Sequence, residues 1–103
     1  YEQLGFQVAF QTINQGEPVA FLQLGNLVIE TYENKSAVMQ AGAIDHIALD
    51  VKDIDTLYEV MKDKHFHLLD NRVNYLPFWG HGVKFFIIQG PNKEKIEFCE
   101  RIQ

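Results

Sequence analysis

The sequence predicts a mixed α+β fold made of two related halves. Short runs rich in valine, isoleucine, phenylalanine and tyrosine are separated by clusters of glycine, proline and asparagine, a pattern typical of strands joined by turns. One segment has the spacing of an amphipathic helix instead. The order of runs and turns is similar in the two halves of the 103 residues, which indicates an internal repeat.

The strand predictions follow from the apolar runs and the turn residues that bound them. Gly5, Gly16, Gly25 and Gly90 lie in the clusters that separate the runs. The predicted strands comprise residues 6–12, 19–24, 27–33, 44–51, 83–89 and 96–102, with a further strand near residues 67–73.

The helix prediction rests on one stretch of helical periodicity. Apolar residues recur at positions i, i+3, i+4 and i+7 from Ile54 to Met61, with charged residues between them. Asp53 precedes this stretch and is a favourable residue for a helix start. We therefore predict a helix of about three turns over residues 53–64. We expect one domain over residues 1–103, with residues 34–43 connecting a first part, 1–33, to a second part, 44–103.

The composition excludes several classes of function. Nine basic residues against fourteen acidic ones give a net charge of −5, and no basic patch is present, so nucleic acid is not an expected partner. No apolar run approaches the roughly 20 residues that cross a bilayer, so no membrane association is expected. The single cysteine, Cys99, lies in an apolar run. A buried thiol of this kind suits a reducing compartment, and we expect a cytoplasmic protein.

The repeat predicts that the first half is incomplete. Residues 19–22 match residues 83–86, and each match is followed, after a turn, by the pattern Ile-Glu-x-x-Glu that contains Glu30 or Glu97. Gly5-Phe6 then corresponds to His65-Phe66. In this register residues 1–4 form the last turn of a helix, and the first half lacks its opening strand and most of its first helix.

Three polar residues interrupt apolar strands at corresponding places: Glu30, His46 and Glu97. Alternation along the strand directs Ile47 toward the helix and His46 to the opposite face, and in the last strand it separates Phe98 from Glu97 in the same way. A carboxylate on a partly buried face is costly unless a cation or a strong donor meets it. Two carboxylates and an imidazole together suit a divalent transition metal, with Ni, Co, Zn, Fe and Mn all left open.

Three segments of the chain carry a family resemblance. Residues 42–54 read GAIDHIALDVKDI, residues 1–6 read YEQLGF, and residues 90–98 read GPNKEKIEF. In this order they resemble the second-module opening, the end of the first helix, and the final turn and strand of the glyoxalase, bleomycin-resistance and extradiol dioxygenase superfamily, also called the vicinal oxygen chelate superfamily. The resemblance extends over nearly the whole chain.

The resemblance implies paired βαβββ modules whose sheets surround a metal site, with the first module truncated at its N-terminus. Ligands come from the first and last strands of each module, so Glu30, His46 and Glu97 match three of the four positions. The fourth position would lie in the absent opening strand. Sites of this superfamily are often completed at a dimer interface, and we therefore expect a homodimer that acts on a small-molecule substrate.

The expected activity is that of a metal-dependent lyase or isomerase of the lactoylglutathione lyase type. Two neighbouring substrate oxygens would chelate the metal, and Glu97 would move a proton through a metal-stabilised enediolate. Glu30 would complete the coordination or return the proton, and His46 would anchor the ion. An epimerase similar to methylmalonyl-CoA epimerase is an alternative, because residues 19–25 also resemble a hairpin of that enzyme. A dioxygenase is less consistent with this ligand set.

A binding protein of the bleomycin-resistance type is the alternative from another class. Such a protein would hold a small molecule without a metal, and the acidic residues would be incidental. The aromatic residues Tyr75, Phe78 and Trp79 would form the wall of the substrate pocket, with the glycines at 80 and 82 as hinges. The same cluster is equally consistent with a hairpin turn that caps the core.

Overall fold

The computed structural model describes all residues from 1 to 103 and consists of seven strands and one α-helix, which confirms the predicted α+β class. It divides into two compact units, residues 1–37 and residues 38–103, and the boundary lies inside the predicted connector. The elements are β1 (Gln7–Asn14), β2 (Glu17–Leu24), β3 (Leu27–Tyr32), β4 (His46–Asp50), α1 (Ile54–Asp63), β5 (Asn74–Leu76), β6 (Val83–Gln89) and β7 (Lys95–Arg101).

The first unit is a three-stranded antiparallel sheet in the order β1-β2-β3. Strands β2 and β3 are joined by the two-residue turn Gly25-Asn26, because Leu24 and Leu27 are the last cross-strand pair. Before β1, a 3₁₀ turn over Glu2–Leu4 ends at Gly5. Of the apolar residues in this unit, only Phe6 and Val19 are buried.

The second unit is a four-stranded sheet in the order β4-β7-β6-β5, in which β4 runs parallel to β7 and the other pairs are antiparallel. Helix α1 follows β4 and contacts β6 and β7. The core between helix and sheet contains Ile54, Tyr58, Met61, Phe86, Ile88, Ile96 and Phe98. The Tyr58 ring packs edge-on against the Phe86 ring, with centroids 5.1 Å apart.

The two ends of helix α1 are stabilised in different ways. At its start, the Glu100 carboxylate on β7 accepts hydrogen bonds from the backbone amides of Asp53 and Ile54, each at 3.0 Å. The Asp53 side chain itself makes no capping hydrogen bond. At its end, His65 adopts a left-handed conformation with φ of 62°. The helix is one residue shorter at each end than the predicted segment.

The helix end of the second unit has the same hydrogen bonds as the turn that opens the first unit. His65 N donates to Lys62 O and Phe66 N donates to Met61 O. Gly5 N donates to Glu2 O and Phe6 N donates to Tyr1 O. Both are Schellman motifs, in which a left-handed residue satisfies the last helical carbonyls. Residues 1–4 therefore end as a helix does, in agreement with the repeat.

The strand predicted near residues 67–73 is wrong. Only Leu68 forms a bridge there, with Ile88, and the regular strand is β5, which begins at Asn74. The Asp70 carboxylate accepts the hydrogen bond of the Ile87 amide at 2.8 Å, so a side chain replaces the backbone partner at this point. The strand predicted over residues 83–89 is confirmed as β6, and the limits of β1, β2, β3, β4 and β7 lie within two residues of the predicted ones.

Helix α1 has ten residues, and no helix in the structure is long and apolar enough to span a membrane.

Candidate metal and acid–base site

His46 and Glu97 meet on one face of the second unit. His46 opens β4 opposite Lys95, and Glu97 lies on β7 opposite Ala48. Residues two positions apart on a strand share a face, so the side chain of Glu97 points to the same side as that of Lys95. The distance from His46 Nε2 to Glu97 Oε1 is 3.3 Å. The neighbouring residues Ile96 and Phe98 are buried against α1, as the strand alternation predicts.

The other nitrogen of the His46 ring is bound by a second acid. His46 Nδ1 lies 2.9 Å from Asp45 Oδ2. Lys95 Nζ donates to Asp45 Oδ1 at 3.1 Å. The hydrogen bonds from His46 and from Lys95 lower the pKa of Asp45 below its ordinary value, so its carboxylate is ionised and acts only as an acceptor.

The environment of Glu97 changes its pKa in the opposite direction from that of Asp45. Its side chain is 18% exposed. Burial raises the pKa of Glu97 above its ordinary value; the His46 ring opposes this change, and the Asp70 carboxylate adds to it. A carboxylate with a raised pKa is a stronger base than an exposed one. The site therefore combines an orienting acid, Asp45, with a more basic one, Glu97.

The donor set can accommodate a divalent cation. Both ring nitrogens face a carboxylate, and Asp45 is the nearer of the two, at 2.9 Å against 3.3 Å for Glu97. The shorter contact favours the neutral tautomer of His46 that has its hydrogen on Nδ1 and a lone pair on Nε2. That lone pair faces a carboxylate oxygen 3.3 Å away, and two acceptors at this distance need a proton or a cation between them. Two ligand atoms bound to one Zn²⁺ ion at about 2.1 Å lie roughly 3.0–3.5 Å apart. The observed spacing fits that of two ligands of one ion.

Glu30 belongs to the first unit. It lies on β3 opposite Phe21 and is exposed. In neither unit do three or more His, Cys, Asp or Glu side chains form a group that could hold a metal ion.

The strand register gives Glu30 of the first unit a different counterpart in the second unit from the predicted one. Val19 pairs with Tyr32, and the matching Val83 pairs with Arg101. Counted from these pairs, Glu30 corresponds to Cys99, and Val28 corresponds to Glu97. The predicted equivalence of Glu30 with Glu97 is therefore displaced by two residues along the strand, although both acids remain on the same face of their sheets.

The displacement has a simple cause. The hairpin of β6 and β7 has seven cross-strand pairs and closes with Gln89 opposite Lys95, whereas β2 and β3 have six pairs. Matching Glu30 with Glu97 allows the second hairpin three additional residues, all in its turn. The structure has five additional residues: three in the turn, which comprises residues 90–94 instead of 25–26, and one in each strand of the additional pair.

The predicted pocket residues Tyr75, Phe78 and Trp79 lie near the β5–β6 connection and are 58%, 55% and 64% exposed. The Tyr75 ring occupies the space that a side chain at Gly82 would need. The Arg101 guanidinium lies over the Trp79 ring, 3.9 Å from its centroid, which is a cation–π contact. A polar cavity of this unit is lined by other residues: Asp50, Val51, Lys52, Lys84, Glu100, Arg101, Ile102 and Gln103.

Sequence reasoning did not identify Asp45 and Lys95. Asp45 is adjacent to His46 in the sequence, which is a visible signal, but adjacent strand residues ordinarily face opposite sides. Lys95 is 50 residues from Asp45, and only the parallel pairing of β4 with β7 brings the two together.

No protein-family model matches the sequence. A protein of Bacillus subtilis (strain 168), the uncharacterized protein YwbC, is 34% identical over 74 residues. The alignment covers 71% of this chain and 56% of YwbC, so the chain spans little more than half the length of that relative.

Solved structures show the fold. A glyoxalase family protein from Enterococcus faecalis has a TM-score of 0.73 at 19% identity, covering 96% of this chain and 81% of the other. A glyoxalase/bleomycin resistance protein/dioxygenase from Alicyclobacillus acidocaldarius has a TM-score of 0.71 at 15% identity, covering 99% and 77%. The chain has the glyoxalase/bleomycin resistance/dioxygenase fold. A V278E mutant of glyoxalase I from Zea mays shares it, with a TM-score of 0.69 at 19% identity, covering 97% of this chain and 37% of that one.

Proposed function

We propose that this protein is a metal-dependent lyase or isomerase of the lactoylglutathione lyase type. The observation that carries the proposal is the His46–Glu97 pair, in which Nε2 of the ring lies 3.3 Å from an oxygen of a partly buried carboxylate. The glyoxalase fold and the presence of a glyoxalase I among proteins of that fold support it.

Each residue of the pair has a distinct proposed role. His46 would hold a divalent ion through Nε2, and Glu97 would be both a ligand and the base that removes a proton from the carbon beside a carbonyl. Burial favours this second role because it raises the pKa of Glu97. Glu30 is the proposed third ligand, or the group that returns the proton. A bound divalent ion would polarise the substrate oxygens as a Lewis acid.

Metal binding is the first test. Calorimetric titration of the metal-free protein with Zn²⁺ should give about one ion per chain, and His46→Ala should abolish this binding. His81→Ala is the matched control, because His81 is an exposed histidine of the same unit. A wild-type protein that binds no Zn²⁺, Ni²⁺, Co²⁺, Fe²⁺ or Mn²⁺ would contradict the proposal.

Proton transfer is the second test. The loaded protein should exchange deuterium from D₂O into the carbon beside the carbonyl of small 2-hydroxy carbonyl compounds, followed by NMR. Glu97→Gln should lower the exchange rate by about 10²–10⁴-fold while the circular dichroism spectrum stays unchanged. Full exchange in Glu97→Gln would show that another group is the base. If Glu30 is a ligand only, Glu30→Gln should weaken metal binding but leave the exchange rate of the metal-saturated protein near that of the wild type, unlike Glu97→Gln.

A metal-free binding protein is the second candidate, and the exposed aromatic residues favour it. Tyr75, Phe78 and Trp79 offer three rings, and Arg101 adds a cation over one of them. Trp79 is the single tryptophan, so its fluorescence reports on ligands at this place. Quenching by aromatic compounds that survives His46→Ala and needs no metal would favour this candidate over the enzyme.

Assembly and location complete the proposal. We propose a homodimer with a cytoplasmic location and a small-molecule substrate. Analytical ultracentrifugation of the purified chain tests the dimer, and a monomer at micromolar concentration would contradict it.

A further inference from the structure

We propose that Asp45 is a positioning residue that fixes the tautomer and orientation of the His46 ring, and that Lys95 holds Asp45 in place. This inference rests on the proposed function, in which His46 Nε2 is a metal ligand. Three side chains form the arrangement: Lys95 Nζ donates to the Asp45 carboxylate, which accepts from His46 Nδ1.

The backbone explains how neighbouring residues can meet in this way. Asp45 lies immediately before β4, so its side chain is not bound to the alternation that the strand imposes from His46 onward. Lys95 is the cross-strand partner of His46 in the parallel β4–β7 pair. Its amino group contacts both carboxylate oxygens of Asp45, at 3.1 and 3.4 Å.

The contact decides which ring nitrogen is available. A neutral imidazole has one donor nitrogen and one acceptor nitrogen, and the group bound to one of them selects the role of the other. Asp45 can only accept, and its oxygen is 2.9 Å from Nδ1, whereas the Glu97 oxygen is 3.3 Å from Nε2. Asp45 therefore favours the hydrogen on Nδ1, which leaves the lone pair of Nε2 directed toward Glu97. Carboxylates that bind the far nitrogen of a metal-ligating histidine orient the ring and raise its affinity for the ion.

Asp45 selects the His46 tautomer by accepting a hydrogen bond, and its negative charge contributes little. The side chain of Asp45 is 55% exposed, and exposed charges interact weakly through water. An uncharged acceptor at the same position should therefore preserve most of the effect. Asn supplies a side-chain oxygen, and Ala supplies none.

The test measures the tautomer directly, in the metal-free protein. ¹⁵N NMR of the His46 ring at a pH where the ring is neutral should show the hydrogen on Nδ1 in the wild type. Asp45→Ala should lose this preference, Asp45→Asn should largely retain it, and Lys95→Met should weaken it. Asp55→Asn is the control, because Asp55 is another exposed acid of this unit that pairs with a lysine, Lys84.

Zn²⁺ affinity gives a second readout. Asp45→Ala should weaken binding about 10–100-fold, and Asp45→Asn should recover most of the loss. An Asp45→Ala protein whose His46 tautomer and Zn²⁺ affinity equal those of the wild type would overturn the inference. The two proposals fail separately: absence of Zn²⁺ binding in the wild type contradicts the proposed function, whereas an unchanged tautomer in Asp45→Ala contradicts the role of Asp45.

Discussion

The two units share part of their secondary structure and differ in the elements that cover their sheets. Each has a helical turn that ends in a Schellman motif, and each contains an antiparallel hairpin after it, β2–β3 or β6–β7. The second unit adds a parallel strand, β4, and the helix α1. The first unit has neither, and its three strands carry most of their apolar residues exposed or half-buried.

Corresponding positions show what the helix contributes. In the register set by Val19 and Val83, the residues that match the sheet half of the second core are Leu22, Leu24, Leu27 and Ile29. Their counterparts are Phe86, Ile88, Ile96 and Phe98, all at most 3% exposed. Leu27 is 39% exposed. The same strand pattern therefore gives a core only where an amphipathic helix lies on it.

The largest expected difference between the units concerns these apolar faces. Ile96→Ala should destabilise the protein by about 2–5 kcal/mol, because it leaves a cavity in a closed core. Leu27→Ala removes as many atoms at the corresponding position and should cost roughly 1 kcal/mol or less, because Leu27 is already partly in water. Urea unfolding measures both.

Equal losses of stability in Ile96→Ala and Leu27→Ala would contradict this difference between the units. They would show that the sheet face that carries Leu27 is covered in solution. Should Ile96→Ala fail to fold, Ile96→Val gives a smaller cavity and is expected to cost about 0.5–1.5 kcal/mol.

The second prediction concerns the start of the helix. Glu100→Ala leaves the amides of Asp53 and Ile54 without the carboxylate and should cost about 1–2 kcal/mol, as loss of an N-terminal cap does. Glu33→Ala in the first unit, where no helix is present, should change the free energy of unfolding by less than about 0.5 kcal/mol. Thermal denaturation followed at 222 nm compares the two. An unchanged free energy of unfolding in Glu100→Ala would mean that water binds the two amides as well as the carboxylate does.

The third prediction uses the two Schellman motifs, which have a glycine in one unit and a histidine in the other. Gly5 has φ of 99° and His65 has φ of 62°. Gly5→Ala should cost about 1 kcal/mol through backbone strain, because the added Cβ would be 3.5 Å from Leu24 Cδ1 and would not clash. His65→Gly should be neutral or stabilise by up to about 1 kcal/mol. Changes of the same sign in both variants would contradict the shared geometry.

The smallest expected effect concerns an ion pair that one unit has and the other lacks. Lys84 Nζ lies 2.8 Å from Asp55 Oδ2, whereas the position matching Lys84 in the first unit is Ala20. The hydrogen bond to Asp55, followed by its charge, raises the pKa of Lys84 above its ordinary value of 10.5. The stability due to the pair is therefore fully present below pH 10.5 and is lost as the pH rises through the higher pKa of the folded state.

Asp55→Asn tests this dependence. Its small loss of stability should be constant between neutral pH and about pH 10, should disappear at higher pH, and should shrink in high salt because the pair is exposed. Glu17→Gln, an exposed acid of the first unit, serves as the control with no such pH dependence. A loss that persists above the pKa of Lys84 would indicate that Asp55 acts through the helix start instead.

Local patterns account for the parts of the fold that were predicted correctly. Strand β6 was predicted to the residue, and α1 to within one residue at each end, because strand and helix periodicity are properties of neighbouring residues. Strand β5 was misplaced because Asp70, through its side chain, takes the Ile87 amide that a strand would have used. That competition involves residues 17 positions apart, and no local pattern shows it.

The candidate site divides in the same way. The chemical character of His46 and Glu97 and the faces they occupy could be predicted from alternation along their strands. The displacement of Glu30 by two residues could not, because the number of cross-strand pairs in a hairpin depends on the packing of both strands.

The positions of the strands, turns and helix, the similarity of the two halves, and the polar residues that interrupt apolar runs can all be derived from the amino-acid order, because these properties depend on residues close together in the chain. Three contacts arise only on folding: Glu100 caps α1, Lys95 reaches Asp45, and His46 meets Glu97. Each of these contacts joins segments about 50 residues apart, and only the pairing of β7 with β4, with α1 packed beside it, brings them within hydrogen-bond distance.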